Sequence, residues 1–157
     1  MTDQGSPESQ PGIRPLALVV FRRPDGRILV APGYDHVKEE HFYRPLGGGI
    51  EFGERSEVAA RREIREELGA EVASLSLLGA FENLFHYLGT PGHELVWVYE
   101  GSFARPELYT ADVLMADEGG AGFPVHWVPL GVFARAEAPL YPDGLLELLL
   151  AQGWPVA

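Results

Sequence analysis

The sequence predicts a mixed α/β fold, an α/β/α sandwich around a mixed β-sheet. Two observations carry this. Short apolar runs of strand length recur between Gly, Pro and Asp turns, while two segments, one central and one terminal, carry helical periodicity instead. At 157 residues the chain suits one domain with a full core, expected over 13–157.

Residues 1–12 are rich in Ser, Pro, Gln and Gly without apolar periodicity and read as a disordered tail. Pro15 to Phe21 is a continuous apolar run, a buried strand. Pro24-Asp25-Gly26 marks a turn and Ile28 to Ala31 a returning strand, so an opening hairpin is expected. Pro32 to His41 is polar and reads as a surface loop, after which Phe42 to Leu46 delivers the chain into three glycines. Those glycines predict a tight loop, where backbone approaches a ligand with no Cβ in the way.

Ser56 reads as a helix N-cap, Glu57 as a first-turn acid and Gly69 as the stop. Ala60, Ile64 and Leu68 supply the buried stripe. Further on, Val72 to Ala80 and Asn83 to Leu88 predict two strands around a bend, and His93 to Phe103 the longest strand. In that strand His93, Leu95, Trp97 and Tyr99 share one face, and Glu94, Val96, Val98 and Glu100 the other. Ala104 to Gly122 reads as a long, functional connection, Phe123 to Pro129 as a last strand, and Leu145 to Gln152 as a closing helix behind Pro142-Asp143-Gly144.

The central helix carries chemistry that its stability does not require. Glu63, Glu66 and Glu67 fall within about a third of its circumference. The i,i+4 pair Glu63/Glu67 repels, and acids in a last turn oppose the helix dipole, for a penalty of roughly 0.3–1 kcal/mol. Grouped oxygen donors suit hard cations such as Mg²⁺ or Mn²⁺. The competing reading is a solvated face, with Arg61 pairing Glu57 and Arg62 reaching Glu66. Salt bridges, however, leave the glycines and Glu54 upstream without a reason.

The stretch resembles the signature of the Nudix (MutT-like) hydrolases: a glycine, five residues, a glutamate, seven residues, then Arg-Glu-aliphatic-any-Glu-Glu-any-Gly-aliphatic. Gly48, Glu54, Arg62, Glu63, Ile64, Glu66, Glu67 and Gly69 fill those places, and Ala70 stands where a larger aliphatic is usual. The resemblance implies the Nudix fold with the signature on the sheet's edge. It implies a pyrophosphohydrolase that cleaves the diphosphate linkage of a nucleoside diphosphate joined to another group, with Mg²⁺ or Mn²⁺ as cofactor. It further implies metal ligation by Glu63, Glu66, Glu67 and the backbone carbonyl of Gly48, with Arg62 fixing a carboxylate rotamer and Glu54 orienting or ligating through water.

The general base stays open among Glu63, Asp117 and Glu118. For the substrate, Arg44 is a candidate phosphate contact. Phe85 and Tyr87 are the stacking candidates, with Trp97 and Trp127 as further aromatics. The absence of proline between Ala70 and Pro91 leans toward a nucleotide or dinucleoside polyphosphate and away from ADP-ribose. His36, His41, His86, His93 and His126 have no metal-ligand spacing.

With no cysteine, thiolate chemistry and a Cys-based zinc site are excluded, and the absence counts heavily against isopentenyl diphosphate isomerase chemistry. A net charge of −11 speaks against a nucleic-acid backbone as partner, though not against a phosphorylated small molecule once metal is bound. No stretch approaches a membrane span, so no membrane partner and a cytoplasmic location are expected, with a homodimer left open. The alternative function is a non-catalytic Nudix-fold domain that senses a nucleotide.

Overall fold

Arg14–Phe21 (β1) is the strand around which the layers are built, because its last six residues are all buried. In the computed structural model, which describes residues 12–156, Ala17, Val19 and Phe21 face one core and Leu16, Leu18 and Val20 the other. A strand covered on both faces must lie between two layers of structure. The expected tail, residues 1–12, lies outside the described residues but for Gly12.

Ile28–Asp35 (β2), Glu40–Arg44 (β3), Leu46–Gly49 (β4), Val72–Tyr87 (β5), Thr90–Phe103 (β6), Val113–Glu118 (β7) and Ala121–Val128 (β8) complete two four-stranded sheets. One runs β4-β1-β6-β5, mixed because β1 and β6 are parallel; the other, β3-β2-β8-β7, is antiparallel. Ser56–Leu68 (α1) packs over edge strands β4 and β7 and onto β1. Leu130–Ala134 (α2), which the sequence reading missed, and Leu145–Ala151 (α3) close the second core through Leu130, Phe133, Leu145 and Leu149. The α/β/α layering holds, with its strands divided between two sheets.

Several expectations change in detail. The turn after β1 forms, with the Gly26 amide donating to Arg23 O, but the opening hairpin does not extend past the bridge Arg22↔Ile28. Both edges of β1 are taken by β4 and β6, and those of β2 by β3 and β8. The polar stretch Pro32 to His41 is a hairpin, Gly33 pairing Phe42 and Asp35 pairing Glu40; its polarity belongs to an edge strand, not to a loop. The glycines are strand rather than loop: Gly47, Gly48 and Gly49 pair with Leu18, Ala17 and Leu16.

Ser56 is not the N-cap, a place taken by Arg55; its hydroxyl shares a 2.7 Å hydrogen bond with Tyr99 Oη. Gly69 does stop the helix, in the left-handed conformation. Predicted as two strands, β5 is one: Phe81 and Glu82, at the expected bend, pair with Val96 and Leu95, and its register shifts fall earlier, between Val72 and Ser74 and between Leu77 and Gly79. The supposed long connection contains the 3-10 turn Pro106–Tyr109 and β7, so Asp117 and Glu118 end a strand in a tight hairpin instead of lying in a structureless connection. The predicted facing of β6 is observed, with Val96 and Val98 in one core and Trp97 and Tyr99 in the other.

Candidate active site

Ala59, Ala60 and Ile64 bury one face of α1, and this turns Arg62, Glu63 and Glu67 toward β4. Arg62 is the hub. Its Nε and Nη2 donate to the two oxygens of Glu54, each at 2.8 Å, Nη2 also reaches Gly49 O at 2.9 Å, and Nη1 reaches Glu63 at 2.9 Å. A planar fork met by a carboxylate and a carbonyl holds one geometry, which an ammonium would not. The pair with Arg62 holds the Glu54 carboxyl down at about 2. Glu66 lies on the outer side of the same guanidinium, 3.3 Å away and 58% exposed.

Glu63 stands against Gly48, where a Cβ would come within 2.5 Å of its Cδ. Gly47 next to it adopts φ +143°, a conformation that favours glycine, and a Cβ there would collide with Ala17 O. Two glycines are thus required for different reasons, one to let a carboxylate in and one to keep the strand paired.

Glu67 is 9% exposed and lines a cavity of about 570 Å³ together with Glu63, Glu118 and Arg44. Burial, then the neighbouring charges of Glu63 and Glu118, push its carboxyl up to about 8, while Arg44 and the Gly47 amide pull the other way. Glu118 therefore comes to the site from β7 although it is far from the helix in sequence. Asp117 points into the hairpin turn, accepting the Gly120 amide at 2.8 Å.

The cavity continues over the face of the mixed sheet. Phe85 and Tyr87 line it, joined by Phe42 and Tyr141, which sequence reasoning passed over. Phe42 meets Tyr87 and Tyr141 edge-on, with ring centroids 5.9 and 5.6 Å apart. Asp35, only 1% exposed, was read as a loop residue; burial opposes its ionisation, but amides of Leu88, Lys38 and Val37 hold its carboxyl below the ordinary range. It ties the β2–β3 turn to the β5–β6 turn at the cavity rim. Trp127 is core, 4% exposed beside Tyr109, and Trp97 packs against the α1 side, away from this cavity.

A NUDIX domain model matches residues 12–148. The chain belongs to the NUDIX family. Among its relatives are an RNA pyrophosphohydrolase of Caulobacter vibrioides, 34% identical over 103 residues (62% of this chain, 56% of that protein), and the NAD-capped RNA hydrolase NudC of Mycobacterium tuberculosis, 35% identical over 85 residues (49% of this chain, 27% of that protein). The alignments thus cover little more than half of the first relative and about a quarter of the second. The crystal structure of a MutT NUDIX hydrolase from Burkholderia pseudomallei shares the fold at TM-score 0.59, with 23% identity, covering 91% of this chain and 98% of that one.

In this NUDIX domain the signature acids suit a hard divalent cation in kind: oxygen donors gathered together, one of them driven toward its protonated form by burial and then by its acidic neighbours. Among the described residues no three acidic or imidazole side chains stand in metal-holding geometry, since Glu63 and Glu66 both face Arg62. No helix among the described residues is long and apolar enough to cross a membrane.

Proposed function

We propose that this NUDIX domain is a metal-dependent pyrophosphohydrolase that cleaves the diphosphate linkage of a nucleoside diphosphate joined to another group. The observation that carries the reading is the meeting of Glu63, Glu67 and Glu118 on one cavity wall with Arg44 near them. Glu63, Glu67 and the Gly48 carbonyl would hold Mg²⁺ or Mn²⁺, and Glu66 would join them if Arg62 released it. The cation would neutralise phosphate oxygens and acidify a water. Arg44 binds a phosphate oxygen and holds the diphosphate against β4. Arg62 keeps the signature carboxylates in one rotamer while Glu54 holds Arg62. Glu118 takes the proton of the attacking water as the new P–O bond forms and the bridging P–O bond breaks, leaving two phosphate-bearing products. Phe85 and Tyr87 form the stacking side of the site.

The relatives' names bring RNA into consideration, against the expectation drawn from the charge of −11. A single RNA 5′ end reaches such a site through one diphosphate and its first nucleotide. That requires no basic track along a backbone, so the net charge does not oppose it. Turnover of free nucleotides and of 5′-triphosphorylated RNA, each with Mg²⁺, with Mn²⁺ and with chelator, tests the reading. No turnover of any of them with either metal overturns it.

A further inference from the structure

Asn83 and Glu94 are buried polar side chains, 5% and 8% exposed, on the part of the cavity farthest along the sheet from β4. They are register partners on β5 and β6, in the same row as Arg14 on β1. β6 lies two strands from β4, roughly 10 Å at the usual spacing, which is the span of a nucleoside rather than of a phosphate.

Their hydrogen bonds leave capacity unused. Asn83 Oδ1 accepts the Asp143 amide at 3.4 Å, which fixes the amide with its nitrogen toward Glu94. Asn83 Nδ2 spends one hydrogen on Glu94, at a long 3.4 Å, and among the described residues keeps the other. Glu94 has about four acceptor sites and, among the described residues, that one side-chain partner. Arg14, the cation in its row, extends toward Gly49 instead.

Taking as given the hydrolase reading above, we propose that Asn83 and Glu94 select a guanine base. Guanine alone presents two adjacent donors, N1–H and the N2 amino group, next to the acceptor O6. Glu94 receives the two donors and the free hydrogen of Asn83 goes to O6. Adenine and cytosine set a ring acceptor against the carboxylate, and uracil offers it one donor flanked by two acceptors. Leu16 and Val96 form the apolar floor beneath the nucleoside, and Phe42 and Tyr87 stand at its rim. A purely structural cross-strand pair would not distinguish bases.

The test is calorimetric binding of GDP, IDP and ADP to the wild-type chain, with turnover of GTP, ITP and ATP measured alongside. The expected order is GDP, then IDP, which lacks the N2 amino group, then ADP, with GDP over ADP by about ten- to a hundredfold. Glu94→Gln, verified as folded by its melting curve, should bring GDP and IDP together. Equal affinities, or a preference for ADP, overturn the guanine assignment while measurable turnover leaves the hydrolase reading intact. If none of the nucleotides binds or turns over, while 5′-triphosphorylated RNA of every first base does, the base assignment also falls and the hydrolase reading stands. Silence on every substrate removes both.

Discussion

Gly48 and Glu63 share one space: the Cα of the first lies where any side chain would run into the carboxylate of the second, with Cδ 2.5 Å from an added Cβ. The far end of a glutamate can swing aside, so Gly48→Ala should leave the fold intact and displace Glu63. Turnover should fall by at least tenfold, with a change in melting temperature of only a few degrees. Gly47→Ala meets fixed backbone at Ala17 O and a positive φ, and should cost about 2–5 kcal/mol of stability. Kinetics beside urea denaturation of the two variants reads the contrast; equal stability losses would remove the separate roles.

Arg62 and Glu54 give a prediction in acid. The folded Glu54 carboxyl is held at about 2, below its ordinary 4.5, so the stability it contributes is fully present above pH 4.5. It should drain away as pH falls toward 2. Wild type and Glu54→Gln should therefore differ most near neutrality and converge in acid, as read by denaturant midpoints at several pH values. Arg62→Lys should not restore what Arg62→Ala loses, because an ammonium cannot meet Glu54 with two parallel bonds.

Much of this was legible in the sequence, for identifiable reasons. Spacing along one helix is fixed by 3.6 residues per turn, so the positions of Arg62, Glu63, Glu66 and Glu67 followed from their order. Strand existence was likewise readable from β1 and β6. Pairing was not: the turn at Pro24-Asp25-Gly26 is local, while the choice of β4 and β6 over β2 as partners of β1 is made by packing across the whole domain. Phe42 and Tyr141 escaped notice because aromatic residues ordinarily fill cores, and only the β2–β3 hairpin and the segment before α3 bring them together. Asn83 and Glu94 carried one faint signal, a charged residue two places before the buried Val96 and Val98 on the same face of β6.

Glu67 predicts the opposite pH response to Glu54. Burial raises its carboxyl from 4.5 to about 8, so between those values the folded chain holds a proton that the unfolded chain has lost. Stability of the chelated protein should fall as pH rises through that window, by up to about 1.4 kcal/mol per pH unit, and should be indifferent to this group below 4.5. Glu67→Gln, uncharged throughout, should be flatter. Saturating Mg²⁺ or Mn²⁺ should raise the melting temperature of wild type most at the alkaline end. An unchanged melting temperature with both metals across pH would count against a cation beside Glu67.

The last prediction divides two adjacent acids. Asp117 caps its own hairpin through Gly120, and Asp117→Asn keeps an oxygen for that bond, so turnover should stay within a fewfold and stability within about 1 kcal/mol. Glu118 lies near Glu67 on the cavity wall, close enough for its charge to act on that carboxyl. As the acceptor of the water proton, it should contribute about 10²–10⁴-fold in rate, with metal affinity nearly intact and the acidic limb of the pH–rate profile lost in Glu118→Gln. A metal-holding role would weaken the cation's affinity instead, and saturating metal would then restore much of the rate. If Glu118→Gln turns over like wild type, the proton goes to the signature helix, and Glu63, already against Gly48 and Arg62, becomes the residue to replace next.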